Sequence, residues 1–246
     1  MIRDYVKIAK SFFGSELHSI YIRGSIANGN SIDGISDLDT IIVLSKNVQK
    51  DLTPFTLSKK ELMKDYPVIV DIESNIVEKE ALFDLHSSYM LSFMIQTYSL
   101  CVYGENIQPR LPRFKADQNL ANQHLLPLEN QIQVAIDDLQ NNEGEADILD
   151  CCQWIMKILI RAGAALFIGE NNRYTRDLYP AYKRFSQYNP EREKEMRMAL
   201  EYAIEPINDP HKIIMFLKQF GSWFIPEAEL WLVKHNPKRL QYIKKS

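Results

Sequence analysis

The chain has 246 residues, of which 46% are hydrophobic, and its 32 acidic and 29 basic side chains give a formal net charge of −3. These values are typical of an ordinary globular protein and exclude the basic excess of a general nucleic-acid binder. No apolar run predicts a membrane span, the N-terminal MIRDYVKIAK lacks the apolar core of a secretory signal, and three cysteines do not suggest a disulfide framework. We therefore expect a cytoplasmic protein with free thiols, no membrane partner and no general affinity for nucleic acid.

The first hundred residues alternate helical and extended patterns. Apolar residues at helical spacing predict helices over 4–13, 53–66 and 78–99. Runs rich in β-branched and aromatic residues predict strands over 17–23, 37–44, 67–73 and 100–103. Between the first two strands, residues 24–34 are rich in Gly, Ser and Asn, which indicates a turn or loop with at most one helical turn.

The pattern changes after residue 106. The segment IQPRLPRF has two prolines and no periodicity, so we assign residues 107–115 to a linker. Almost everything beyond it has helical spacing, and the predicted helices are 117–141, 146–169, 176–187, 190–204 and 210–232. The predicted domains are therefore a mixed helix-and-strand domain over 1–106 and an all-helical domain over 116–246.

Two acids open the second predicted strand. Asp37 and Asp39 are two residues apart, so their side chains project from one face. Two bare carboxylates this close repel each other, and a divalent cation between them makes the arrangement favourable. Mg²⁺ commonly takes carboxylates together with phosphate oxygens. The pattern predicts a magnesium site, although acids at a strand start can also cap a turn or remain solvated.

A third acid is expected from the next strand. In VIVDIE, Asp71 and Glu73 share one face of the predicted strand. Three acids on neighbouring strands can hold metal ions for a displacement at phosphorus, and one of them could instead take the proton of the attacking hydroxyl. Asp71 is thus predicted as a metal ligand or a general base. Glu73, one step further along, is assigned to the acceptor substrate.

A Gly-Ser pair ends the first predicted strand. Gly24 lets the backbone approach a phosphate closely, and the amides after it can donate to phosphate oxygens together with the Ser25 hydroxyl. Arg23, just before the pair, could reach a phosphate, or it could be exposed or paired with an acid. The sequence therefore predicts a polyphosphate held beside the metal.

The stretch GSIANGNSIDGISDLD resembles the G-S…S-D-x-D signature of the nucleotidyltransferase superfamily, which has the DNA polymerase β-like fold. The resemblance implies an α+β arrangement, in which a small mixed sheet forms the catalytic domain and a helical bundle follows. It also implies that Gly24 and Ser25 contact the nucleotide phosphates, that Asp37 and Asp39 bind magnesium, and that Asp71 is the third ligand or the base.

The helical half carries a polar stripe on an otherwise apolar segment. Asp147, Asp150, Trp154, Lys157 and Arg161 follow one another at intervals of 3, 4, 3 and 4 residues, which places them on one helix face. The stripe could be a solvated face with ion pairs. Alternatively it is an active-site wall, in which the two basic residues bind the triphosphate and the two acids lie near the acceptor.

Aminoglycoside nucleotidyltransferases, which the layout resembles, pair a catalytic domain with a helical one. Their helical domain often has an arginine on a helix, then a glycine, then a basic residue. Here the corresponding series is Arg161, Gly169 and Arg176. The resemblance implies that both arginines bind the nucleotide.

Together these patterns predict a magnesium-dependent nucleotidyltransferase. It would move a nucleoside monophosphate, AMP from ATP, onto a hydroxyl of a small molecule and release pyrophosphate. An aminoglycoside-like antibiotic, held between the two halves, is the first expectation for the acceptor. Two alternatives remain: an antitoxin-type nucleotidyltransferase that modifies or sequesters a partner protein, and a binding module that retains nucleotide affinity without turnover.

Overall fold

The computed structural model describes residues 1–34, 36–46 and 49–243. The chain divides into two compact units, Met1–Phe114 and Lys115–Ser246. Each unit has its own core.

The first unit is built around a four-stranded sheet. Its elements are α1 Ile2–Phe13, β1 Leu17–Arg23, α2 Gly24–Ala27, β2 Leu38–Leu44, α3 Thr53–Asp65, β3 Ile72–Glu78, α4 Leu85–Tyr98 and β4 Leu100–Gly104. The strand order is β3-β2-β1-β4. β1 is antiparallel to both β2 and β4, whereas β2 and β3 are parallel. The sheet is therefore mixed, which confirms the predicted fold class for this half.

Alternating side chains give the sheet two differently covered faces. On one face, Leu38 and Ile42 pack with apolar residues of α1 and α3, including Phe13 and Phe55. The opposite face packs against α4 and the segment after β4; its cluster comprises Tyr21, Ile41, Val43, Leu82, Ile95, Ile107 and Leu111. The predicted linker therefore begins as a packed part of the sheet unit, since Ile107 and Leu111 are both buried.

A buried hydroxyl network lies on the α1 side of the sheet. Tyr5 is fully buried, and its hydroxyl hydrogen-bonds Thr40 of β2 at 2.7 Å and Ser74 of β3 at 2.9 Å. Thr40 also donates to the carbonyl of Glu73 at 2.9 Å. Burial raises the pKa of Tyr5 above its ordinary value, so the phenol stays protonated. These bonds join α1 to the parallel strand pair and support its register.

The second unit is all-helical, as predicted. Its helices are α5 Gln118–Leu125, α6 Leu128–Asn141, α7 Glu145–Leu166, α8 Ile168–Asn171, α9 Leu178–Tyr188, α10 Glu193–Ile204 and α11 Pro210–His235. α7 packs against α5, α6, α9 and α10 and forms the centre of the unit. By length and composition α7 with its extension to Glu170 could cross a membrane, but 61% of its most apolar window is buried within the protein. We read it as a core helix.

Three predicted elements differ from those observed. The third strand runs over Ile72–Glu78 instead of 67–73, because residues 67 and 68 form a turn after Tyr66 and parallel pairing starts at Ile72. The helix predicted from residue 78 begins at Leu85, where the Asp84 side chain accepts a hydrogen bond from the His86 amide at 3.0 Å. The helix predicted over 117–141 is two helices that meet at Pro127, which has no amide to donate.

Candidate functional site

Gly24 brings the backbone against the carboxylate of Asp39. Its φ is +71°, a conformation that L side chains rarely adopt. A Cβ at this position would lie 2.2 Å from Asp39 Oδ2, so a side chain is excluded by contact as well as by conformation. Ser25 follows in the short helix α2 and is partly buried. The predicted Gly-Ser turn therefore sits directly over one of the two predicted metal ligands.

Strand pairing places Arg23, Asp39 and Glu73 in one row across the sheet. Arg23 of β1 is the register partner of Asp39 of β2, which is in turn the partner of Glu73 of β3. Arg23 Nη2 lies 2.6 Å from Asp39 Oδ1 and 3.0 Å from Glu73 Oε2. The Arg23 and Asp39 side chains are 18% and 13% exposed, whereas Glu73 is 57% exposed. A partly buried cation is thus shared by two carboxylates.

Asp37 and Asp71 lie at the entrance of the parallel strand pair. Both are exposed, and each directly precedes its strand by one residue. The Leu38 amide donates to the Asp71 carbonyl at 2.8 Å, so the two strands begin side by side. Burial lowers the pKa of nearby Lys59, and the charges of Asp71 and Glu73 oppose that shift. Asp71 therefore belongs to this edge of the sheet, one step outside the row that holds Asp39 and Glu73.

The predicted cluster of three acids is not assembled as a metal cage. Among the residues that the structure describes, no three Asp, Glu, His or Cys side chains are grouped so that they could hold a metal ion. The guanidinium of Arg23 lies where Asp39 and Glu73 would otherwise face each other. The donors nevertheless fit Mg²⁺, because this ion usually takes one or two carboxylates and completes its shell with substrate phosphates and water. Asp37, Asp39 and Asp71 stay predicted ligands of such a nucleotide-dependent site.

In the second unit, the acidic end of the α7 stripe lines an open cleft. Asp147, Asp150 and Trp154 share this cleft of about 440 Å³ with Asp138 of α6. Burial raises the pKa of the adjoining Cys151 thiol to about 12, and Asp138 contributes to that rise. We did not predict Asp138. The sequence could have indicated it, because residues 142–144 form a short connection between α6 and α7. Two helices joined by so short a connection run antiparallel, which brings the end of α6 beside the start of α7.

The basic end of the stripe meets the segment before α9. Arg161 Nε donates to the Arg176 carbonyl at 3.3 Å, so the two predicted nucleotide-binding arginines belong to one location. Lys157 Nζ donates to Gln153 Oε1 at 2.6 Å. The stripe therefore separates into an acidic region in the cleft and a basic region near Arg176.

A histidine–tyrosine pair adjoins the two arginines. His124 Nε2 and Tyr174 Oη are 2.7 Å apart, and the two rings stack with centroids 5.3 Å apart. Burial lowers the pKa of His124 to about 3, and the charges of Arg176 and Arg161 act in the same direction. The imidazole is therefore neutral at physiological pH. No periodicity marked His124, because its neighbours come from distant parts of the chain.

The chain is similar in structure to the spectinomycin adenyltransferase AAD(9) from Enterococcus faecialis, whose crystal structure contains ATP and spectinomycin. The TM-score is 0.51, 14% of the residues are identical, and the match covers 93% of this chain and 98% of that one. No family model and no curated protein matches the chain. At this identity the similarity shows the fold alone, a small mixed sheet domain followed by a helical domain, and it agrees with the predicted fold class.

Proposed function

We propose, from this fold and the row of charges at its sheet edge, that the chain transfers AMP from ATP onto a hydroxyl of a cationic small molecule and releases pyrophosphate. The observation that carries the proposal is the position of Asp39, in contact range of the Gly24 backbone on one side and in register with Glu73 on the other. Asp39 thus connects a turn whose backbone can contact phosphate with a row of carboxylates that can hold a metal ion. Phosphoryl transfer needs both, because it depends on positioning the phosphates and neutralising their charge.

Each residue at the sheet edge has a role in this reaction. Asp37 and Asp39 would hold Mg²⁺, which supplies neutralisation of the charge on the triphosphate when it is bound. The Gly24 backbone and the Ser25 hydroxyl would bind phosphate oxygens. The acceptor oxygen bonds to the α-phosphorus, the bond from that phosphorus to the bridging oxygen breaks, and pyrophosphate leaves.

The proton of the acceptor hydroxyl must go to a base at this edge. Asp71 was predicted for that role or for the metal, but the register supports Glu73, which is the strand partner of Asp39 and is more than half exposed. A carboxylate that takes the hydroxyl proton also contacts the acceptor. The assignment of Glu73 to the acceptor is therefore compatible with its acting as the base.

The helical unit carries two groups of charged side chains that would suit the nucleotide and the acceptor. Arg161 and Arg176 adjoin each other, and together with Lys157 they suit the triphosphate, because guanidinium groups match phosphate oxygens. The cleft lined by Asp138, Asp147 and Asp150 suits a polycationic acceptor, and Trp154, which is 42% exposed, offers an apolar ring surface. An aminoglycoside-like aminocyclitol has this chemistry, and the structurally similar AAD(9) was crystallised with spectinomycin.

The test is an assay with α-labelled ATP, Mg²⁺ and a panel of aminoglycosides, aminocyclitols and uncharged sugars. Acceptor-dependent pyrophosphate release, with label on the acceptor, is the expected result, and the Asp39→Asn variant should show none. Label transferred to a co-purifying protein would instead indicate the antitoxin-type activity. Nucleotide binding without release under any condition would indicate a module without turnover, and either result would overturn the proposal.

A further inference from the structure

Arg23 is held in an unusual way for a structural arginine. One nitrogen, Nη2, contacts both Asp39 and Glu73, while Nε is buried and has no hydrogen-bond partner among the described residues. A buried donor without a partner carries a desolvation cost, so this guanidinium is not in a fully satisfied position. The ion pairs hold it there against that cost.

The guanidinium of Arg23 lies where the two neighbouring carboxylates need a positive charge. Asp39 and Glu73 are side by side on neighbouring parallel strands, and two carboxylates in that relation repel each other unless a positive charge lies between them. In this structure the guanidinium of Arg23 supplies that charge. A divalent ion on Asp39 would stand within a few ångströms of it, and the repulsion between the two cations makes their occupancy of this carboxylate mutually unfavourable.

We propose that Arg23 is an internal cation that occupies the Asp39–Glu73 pair in the ligand-free protein, competes with the divalent ion for it, and binds the triphosphate once released. The proposal rests on the proposed function, since it takes Asp39 as a metal ligand. Arg23 directly precedes Gly24, whose backbone is assigned to the phosphates, so its side chain starts one residue from that turn. There its unpartnered Nε would gain an acceptor, because a guanidinium donates to phosphate through several nitrogens.

The exchange has a functional consequence. A bare divalent ion must displace Arg23 without any compensating contact, so it binds weakly. An ion that arrives with the nucleotide brings phosphate oxygens for the released guanidinium. Binding of metal and of triphosphate is then coupled through one side chain, and the coupling acts equally in both directions.

The experiment measures Mn²⁺ binding without turnover, by the electron paramagnetic resonance signal of free Mn²⁺, in the wild type, Arg23→Gln and the control Arg110→Gln. Arg110 pairs with the exposed Glu105 at 3.1 Å, so its variant removes an equal charge from an ion pair at the surface of the same unit. We expect Arg23→Gln to bind Mn²⁺ alone about tenfold more tightly, which lies within the usual range of coupling between sites. It should bind Mn²⁺ with a non-hydrolysable ATP analogue more weakly than the wild type does. Arg110→Gln should change neither.

Opposite signs for the two ligands are the diagnostic result. Unchanged or weaker binding of Mn²⁺ alone in Arg23→Gln would overturn the competition, and unchanged binding of the nucleotide complex would overturn the role toward the triphosphate. If Arg23→Gln does not fold, Arg23→Lys serves instead, because its ammonium keeps the charge but cannot form the same fork. Its affinity for Mn²⁺ should lie above that of the wild type, and wild-type affinity would count against the proposal. If the protein shows no transferase activity but Arg23→Gln strengthens binding of Mn²⁺ alone and weakens binding of the nucleotide complex, the proposed function fails and this inference stands.

Discussion

The sheet unit and the helical unit hold their charged side chains in different ways. In the sheet, Arg23 and Glu73 are 50 residues apart in the chain, yet strand register places both beside Asp39. Arg23 Nη2 lies 2.6 Å from the Asp39 carboxylate and 3.0 Å from that of Glu73. In the helical unit, the stripe from Asp147 to Arg161 is local in sequence and divides in space. Its acids line a cleft, and its last arginine is bonded to the backbone of Arg176.

The difference follows from geometry. Neighbouring strands are about 4.8 Å apart, so a row across three strands is compact enough for one reaction centre. A helix rises 1.5 Å per residue, so Asp147 and Arg161 are separated by roughly 21 Å along α7. One small ligand group cannot contact both ends. We therefore expect substitutions in the sheet row to affect the chemical step, and substitutions in the stripe to affect one ligand at a time.

The largest effect is expected at the paired aspartates. Asp37→Asn and Asp39→Asn should each lower kcat by about 10³-fold or more, because each removes charge that the metal and the developing phosphate charge require. Steady-state pyrophosphate release measures the effect, and circular dichroism checks the fold. Asp33→Asn, in the exposed loop before the site, is the matched control and should retain turnover. Turnover near the wild-type rate in either test variant would remove these residues from the metal site.

Glu73→Gln and Asp71→Asn test the strand register. If Glu73 accepts the proton, its variant should lose about 10²- to 10⁴-fold in kcat. Asp71→Asn should lose less, because Asp71 precedes the strand and is not a partner of Asp39. Single-turnover rates in both variants measure this. The reverse order of effects would return the role of base or third ligand to Asp71.

Arg161→Ala tests whether the basic end of the stripe serves the nucleotide. Loss of a charge-assisted contact to phosphate should raise the dissociation constant of a non-hydrolysable ATP analogue about 10- to 100-fold, with little change in acceptor affinity. Isothermal titration calorimetry measures both. Arg197→Ala, an exposed arginine on α10, is the control. Equal ATP affinity in the two variants would identify the stripe as a solvated face.

A smaller effect is expected at the acidic end. Asp150→Asn should raise KM for a cationic acceptor about threefold, and less at high salt, because the carboxylate is exposed. KM for ATP should not change. Asp137→Asn removes the same charge from an exposed position on α6 next to Asp138, outside the lining of the cleft. If both variants change KM equally, the cleft is not the acceptor site.

The last prediction concerns the stability of the fold. His124 has a pKa of about 3 in the folded chain and an ordinary value of 6.5. Between these values the unfolded chain binds the extra proton, so the contribution of His124 is present above pH 6.5 and is lost as pH falls toward 3. The slope from this group is about 1 kcal/mol per pH unit. Urea unfolding from pH 6.5 to 4.5 should show a shallower slope in His124→Gln than in the wild type, and equal slopes would show that the histidine is not held neutral.

The parts of the site that depend on local sequence were predictable. Gly24 and Asp39 are separated by one loop, and a motif of that length can indicate a contact that the structure then shows. Alternation predicts Asp71 and Glu73 on one face of the third segment, and the observed strand holds Glu73 in register with Asp39. It could not decide which of them pairs with Asp39, because a shift of two residues leaves every side chain on the same face.

The rest depends on tertiary packing. Pro67 to Val70 have the composition of a strand, but Val68 and Val70 are 43% and 49% exposed and the segment forms a turn. His124 joined the candidate site only because α5 meets the distant segment that contains Tyr174. Asp138, in contrast, lies on the helix next to α7 in the chain and could be expected from the short connection between them. The sequence does not decide whether Arg23 binds a phosphate, pairs with an acid or is exposed, because it does not show which strands are neighbours.

The Tyr5 hydroxyl gives the N-terminal helix an unexpected influence. It hydrogen-bonds Thr40 of β2 and Ser74 of β3 on the α1 side of the sheet. These residues alternate along their strands with Asp39 and Glu73, which belong to the opposite face. Exposed positions of that helix, such as Arg3 and Ser11, lie away from this network and suit attachment of a label. Replacing this one phenol, in contrast, would loosen the alignment of the reaction centre without touching any group that contacts a substrate.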